Sequence, residues 1–174
     1  RIFKETDGQR TQFGWDGDAL ASDVTGDGQR EFVYYPDTFE PLAMLCSTPG
    51  GDQEVLSYDN DPNGCPIRII DSSGRVQWAA SYSAWADVTA LHVNSIHNPI
   101  RLQGQYFDAE TGLHYNRERY YDRHIGQFIS QDVLRLIAGP NTFRFAPNTL
   151  GWIDPVGLVC LDRRVGRFRD PATG

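Results

Sequence analysis

Two carboxylates stand where chemistry is conceivable. Asp132 ends the last regular run of the chain, and Asp154 follows 22 residues later, at the head of the stretch Asp154-Pro155-Val156-Gly157-Leu158. Proline fixes its own φ and pushes the residue before it toward an extended backbone. Gly157 permits a positive φ, and Leu158 is suited to an apolar anchor. Such a turn would hold Asp154 and Leu158 in a defined relation. It would serve equally as a loop that caps a β structure, and the motif by itself does not separate the two uses.

The chain changes character just beyond this turn. Residues 159–174 hold Arg163, Arg164, Arg167 and Arg169 against Asp162 and Asp170, a net +2 that leaves −9 for residues 1–158 of a chain whose total is −7. The overall acidity argues against nucleic acid as a partner. Other candidate chemistry is weaker. "DNDPNG", Asp59 to Gly64, matches the first half of a calcium-binding EF-hand loop, but its twelfth position is Ile70 where a bidentate Glu is needed. Pro62 also interrupts it, so a hairpin turn is expected there. His92, His97, His114 and His124 show no metal-ligand spacing and read as surface or packing residues. There is no serine-nucleophile elbow and no phosphate-binding glycine loop. No metal and no cofactor is implied. Arg117 and Arg119 alternate with Tyr115 and Tyr120, which reads as the solvated face of a strand.

The elements that must position these residues are β-strands. Runs such as "REFVYY", "CPIRII" and "RVQWAASYSAW" are separated by Asp/Gly turns, and no helical period extends for three turns. An apolar-Asp-turn-Gly unit recurs: Tyr58-Asp59 with Gly64, Ile70-Asp71 with Gly74, Phe107-Asp108 with Gly112, and Tyr121-Asp122 with Gly126. Asp accepts bonds from nearby backbone amides while Gly takes the positive-φ position. Stacked hairpins of this kind bury little alone and rely on neighbours. We expect an all-β fold of antiparallel hairpins, with a boundary near residues 87–99 and a mostly irregular path from Val133 to Asp154.

The composition, 40% hydrophobic and 22% charged, is that of a folded domain. Three cysteines, Cys46, Cys65 and Cys160, do not make a disulfide framework, and whether Cys46 pairs with Cys65 is open. No apolar run approaches 18 residues, so no membrane helix is expected. The chain opens mid-pattern at "RIFKETDGQ" and reads as a fragment of something longer.

Residues 98–158 carry a resemblance. "NPIRLQGQYFDAETGLHYNRERYYDRHIGQFISQD", followed by "NTFRFAPNTLGWIDPVGL", is similar to the core-associated end of Rhs and YD-repeat proteins, and the looser turns before residue 98 resemble the preceding YD repeats. The resemblance implies a hairpin ribbon wound into a hollow shell, with an irregular C-terminal plug. It divides the chain into YD repeats (1–97), a core-associated domain (98–158) and the start of a variable toxin or linker (159–174). Members include polymorphic toxins, many exported by type VI secretion, and the C components of insecticidal toxin complexes. The implied partners are the chain's own C-terminal toxin segment, the rest of the shell, secretion-apparatus proteins and an immunity protein. The implied localisation is secreted, made in a bacterial cytoplasm and delivered to a target cell.

In members of this kind an intramolecular aspartic protease severs the toxin after the Leu of Asp-Pro-x-Gly-Leu. Carried over, the cut falls between Leu158 and Val159, the acids are Asp132 and Asp154, and Pro155 and Gly157 hold the scissile bond. The family often has proline after the first acid, where this chain has Val133, although Leu136 is kept. Two adjacent carboxylates share a proton, so one can draw a proton from water while the other polarises the carbonyl. The competing class is a non-enzymatic YD-repeat shell or adhesive module without cleavage.

Overall fold

A computed structural model describes residues 1–132, 141–146, 149 and 152–158, together with the backbone of 161–162 and 167–168. The described residues are all strand, turn and loop, as the Asp/Gly punctuation requires. The chain divides into two compact units, one of residues 1–80 with 91–98, the other of residues 81–90 with 99–174.

Nine strands follow one another in a single sheet in chain order: β1 (Phe3–Thr6), β2 (Gln9–Asp16), β3 (Ala19–Thr25), β4 (Gly28–Tyr34), β5 (Pro41–Ser47), β6 (Gln53–Asn60), β7 (Pro66–Ile70), β8 (Val76–Tyr82) and β9 (Val88–Asn94). Side chains alternate across a strand, so cross-strand partners share a face. Phe32, Met44 and Leu56 are successive partners, as are Tyr58, Ile69 and Trp78, and all six are buried. The alternate positions Val33 and Val55 are exposed.

Hairpin punctuation is realised with one shift. Gly74 N–H donates to Asp71 O, and the Asp71 carboxylate accepts the amides of Ser73 and Arg75. In "DNDPNG" the turn acid is Asp61, which accepts from Asn63 N and Cys65 N; Asp59, expected in that role, instead pairs with Arg68 across the ladder. This corrects the reading by two residues, because Pro66 opens the next strand and draws the turn forward. Cys46 and Cys65 are free thiols.

The second unit carries a four-stranded antiparallel meander: β10 (Tyr106–Asp108), β11 (Leu113–Asn116), β12 (Arg119–Asp122) and β13 (Gln127–Phe128). Register places Phe107, His114, Tyr121 and Phe128 side by side, with Asn116 opposite Arg119 on the same face. The aromatic members pack ring on ring: Tyr121 sits 5.9 Å from Phe128 and 4.8 Å from Phe145. The face is therefore apolar at one end and polar at the other.

Among the described residues between 133 and 154 the path is turn and loop, as expected, apart from an isolated bridge at Arg144 and the two-residue strand Trp152–Ile153. Phe128 N–H donates to Phe143 O and Asp132 N–H to Thr142 O, so residues 141–144 fold back along β13. A three-stranded sheet follows, of β14 (Trp152–Ile153), β15 (Leu161–Asp162) and β16 (Arg167–Phe168). These strands are two residues long, too short for periodicity to announce them. Val133 and Leu136 lie outside the described residues.

Candidate functional site

Arg119 organises the site. Its Nη2 lies 2.9 Å from Asp132 Oδ2 and 3.3 Å from Asp154 Oδ2. Its Nε donates to Gly157 O and its Nη1 to Thr142 O at 3.1 Å, while its guanidinium carbon sits 3.6 Å from the centre of the Phe128 ring. All three charged residues are enclosed: Arg119 and Asp132 are 3% exposed and Asp154 is 1%. Charges at this depth persist only when paired and hydrogen-bonded.

This corrects the reading of Arg119 as part of a solvated strand face. Residues 117–118 form the turn of a tight hairpin, with Arg117 at φ +54°, so no alternation runs from Arg117 to Arg119. Arg119 opens β12 on the buried face instead. No local signal marks this turn, since its two central residues, Arg117 and Glu118, are not the Asn, Asp or Gly that two-residue hairpin turns favour.

The second acid is fixed by its own turn. Asp154 is followed by Pro155, Val156 and Gly157, and Gly157 N–H closes on Asp154 O at 3.4 Å. Gly157 has φ +72°, and a Cβ there would lie 2.5 Å from the carbonyl oxygen of Asn116. Asn116 Nδ2 donates to Asp154 O at 2.7 Å, and Glu118 N–H to Val156 O at 3.2 Å. Behind the turn, Gly104 has φ +82°, and a Cβ on it would stand 2.6 Å from the Pro155 carbonyl carbon. The turn is thus clamped between the β11–β12 hairpin and the loop before β10.

Leu158 N–H donates to Asp154 Oδ1 at 2.9 Å. The Gly157–Leu158 peptide is accordingly held at both ends, its carbonyl by Arg119 and its N–H by Asp154. Leu158 is half-buried. The structure brings Asp132, Asp154, Pro155, Gly157 and Leu158 together; Val159 lies outside the described residues. His92, His97 and His124 are exposed, whereas His114 is fully buried, its Nδ1 2.7 Å from Gln105 Oε1. Burial, with Arg101 next in weight, pushes its imidazole well below the usual histidine range. Among the described residues no three His, Cys, Asp or Glu side chains group as metal ligands, and no helix is long and apolar enough to cross a membrane.

No family model matches the chain. It is 35% identical over 165 residues to the double-stranded DNA deaminase toxin A of Burkholderia cenocepacia, covering 85% of this chain and 12% of that protein. It is 32% identical over 190 residues to toxin protein Tse5 of Pseudomonas aeruginosa, covering 92% and 14%. It is 30% identical over 167 residues to the probable deoxyribonuclease RhsA of Dickeya dadantii, covering 91% and 12%. The chain belongs to the Rhs/YD-repeat family. The Rhs chain spans 12–14% of the length of these relatives. Its fold matches the crystal structure of TcdB2-TccC3 with a TM-score of 0.65 at 21% identity, over 90% of this chain and 8% of that one. It also matches the Photorhabdus luminescens Tc holotoxin pore with a TM-score of 0.61 at 19% identity, over 89% and 9%. It is an Rhs region with an all-β fold.

Proposed function

We propose that this region cuts its own chain between Leu158 and Val159, with Asp132 and Asp154 as the aspartic pair, and so frees a toxin that begins at Val159. The observation that carries the reading is that both buried carboxylates meet on one nitrogen of Arg119 while Asp154 also holds the amide of Leu158. One cation beside two carboxylates leaves the cluster neutral when the pair holds a single proton, the state that acid–base hydrolysis needs. The ionised carboxylate takes a proton from water as its oxygen bonds to the Leu158 carbonyl carbon. The protonated one supplies a proton to the departing Val159 amine. Arg119 positions both acids and the Gly157 carbonyl.

Enzyme and substrate are one chain, so the entropy of bringing them together is already spent in folding, which in well-oriented systems is worth effective molarities on the order of 10⁵ M or more. Cleavage is single-turnover and requires no open cleft, which suits a site buried this deeply. On this reading residues 1–97 are YD repeats of a shell, 98–158 the core-associated domain and 159–174 the head of the toxin or its linker. The other partners are the rest of the shell, secretion-apparatus proteins and an immunity protein, in a protein secreted and delivered to a target cell. The relatives' differing names, a DNA deaminase toxin beside a probable deoxyribonuclease, fit a common region ahead of variable toxins.

The test is intact mass of the wild type beside Asp132→Asn and Asp154→Asn. The wild type should yield a fragment starting at Val159, and each variant should remain whole, because members of a catalytic unit fail together. A wild type that stays whole leaves a non-enzymatic shell.

A further inference from the structure

Buried polar atoms at the inner end of the meander lack partners. Gln105 Nε2, His114 Nε2 and Asn116 Oδ1 are enclosed and make no hydrogen bond, and their residues are no more than 1% exposed. Protein interiors rarely leave several such atoms together unless water or a ligand answers them. The three side chains share one face. His114 and Asn116 are two residues apart on β11, and Tyr106 pairs with Tyr115, so Gln105 stands at the position opposite Asn116.

The other end of each amide is already committed. Gln105 Oε1 faces His114 Nδ1, which must carry the imidazole proton to bond with it. Asn116 Nδ2 donates to Asp154 O. There remain one donor, Gln105 Nε2, and two acceptors, Asn116 Oδ1 at the neighbouring position and His114 Nε2. A water molecule accepts from Gln105 Nε2 and donates to Asn116 Oδ1. Hydrolysis needs a water, and Asp132 and Asp154 at 3% and 1% exposure are shut off from bulk solvent. A single cut consumes one water per chain, which can be enclosed when the chain folds.

We propose that Gln105 and Asn116 hold a buried water beside Asp154, and that this water is the nucleophile of the self-cleavage; the second half rests on the aspartic reading above. Its oxygen bonds to the Leu158 carbonyl carbon, one of its protons passes to the ionised carboxylate, and the Leu158–Val159 C–N bond breaks. The Val159 amine takes the proton of the other carboxyl, so peptide and water become acid and amine with nothing left over. His114 is a positioning residue, fixing which end of the Gln105 amide faces inward.

The experiment is a crystal structure of the full-length protein carrying Asp132→Asn, which blocks cleavage, beside cleavage rates of wild type and Gln105→Met. The proposal expects a water within hydrogen-bonding distance of Gln105 Nε2 and Asn116 Oδ1. It also expects a first-order rate at least tenfold lower in Gln105→Met at a melting temperature within a few degrees of wild type, and loss of that water in the Gln105→Met/Asp132→Asn double variant. A dry site in a protein that cleaves itself overturns it, as does Gln105→Met cleaving at the wild-type rate. A wild type that never cleaves refutes the aspartic reading and removes the nucleophile, while the water peak still reports on the site.

Discussion

Arg119→Met keeps the length of the side chain and removes a cation that touches both buried acids. Deleting one partner of a buried pair costs about 3–5 kcal/mol, because the charge left behind is uncompensated. Here two carboxylates are stranded, and the bonds to Gly157 O and Thr142 O go as well. Relaxation by protonating an acid offsets part of this, so we expect about 5 kcal/mol. For a chain of this size each kcal/mol moves the melting temperature by roughly 2–4 °C, giving a fall of about 10–20 °C. Adding Asp132→Asn removes one stranded charge and should recover about 2 kcal/mol, a coupling that residues in contact commonly show. Thermal melts at pH 7 of the two single variants, the double variant and the wild type provide the cycle. A loss below about 1 kcal/mol for Arg119→Met, or additive effects in the double variant, would refute the idea that the guanidinium balances the pair.

Gly104→Ala should slow self-cleavage at least tenfold, since its Cβ would press on Pro155; Gly112→Ala, also at positive φ (+70°) but with only the Arg123 guanidinium near its Cβ, at 3.9 Å, should cleave at close to the wild-type rate. Cleavage half-lives by gel separate the two. His114 is neutral when folded and free to take a proton when unfolded, so below about pH 6.5 the unfolded state binds more protons and stability falls with acid, by up to about 1.4 kcal/mol per pH unit. Urea midpoints at pH 7, 6 and 5 should show that slope, and His114→Phe should flatten it. The Asp71 carboxylate is held well below its ordinary range, first by Ser73 and then by the Arg75 amide, so its contribution is present above about pH 4 and fades as acid protonates it. Asp71→Ala should speed hydrogen exchange at Ser73 and Arg75 at pH 7, with little further change on acidification.

The β-class and the hairpins were legible because a strand's period of two and an Asp/Gly turn are both local signals. Asp71, Asp108 and Asp122 close their turns as the spacing implies; Asp59 does not, because Asp61 sits as well placed for the turn and Pro66 decides between them. Asp132 and Asp154 were legible as candidates from their place at the end of a run and at a rigid turn. Arg119 was not. Its burial depends on a turn at Arg117 that flips the alternation, and on two acids that approach from 13 and 35 residues away in sequence. Gln105 and Asn116 were illegible for a related reason: only the register of β10 on β11 sets them opposite each other. Trp152–Ile153 gave no strand signal because two residues have no period, and their partners, Leu161–Asp162, lie beyond the turn.

The central claim is that the chain cuts itself at one bond. Cell-free synthesis of the full-length protein, followed by intact mass over time at two protein concentrations tenfold apart, measures it directly. The account predicts a new N-terminus at Val159, formed with first-order kinetics at the same rate in both samples. A new N-terminus at Pro155, a rate that rises with concentration, or a chain that stays whole would contradict it.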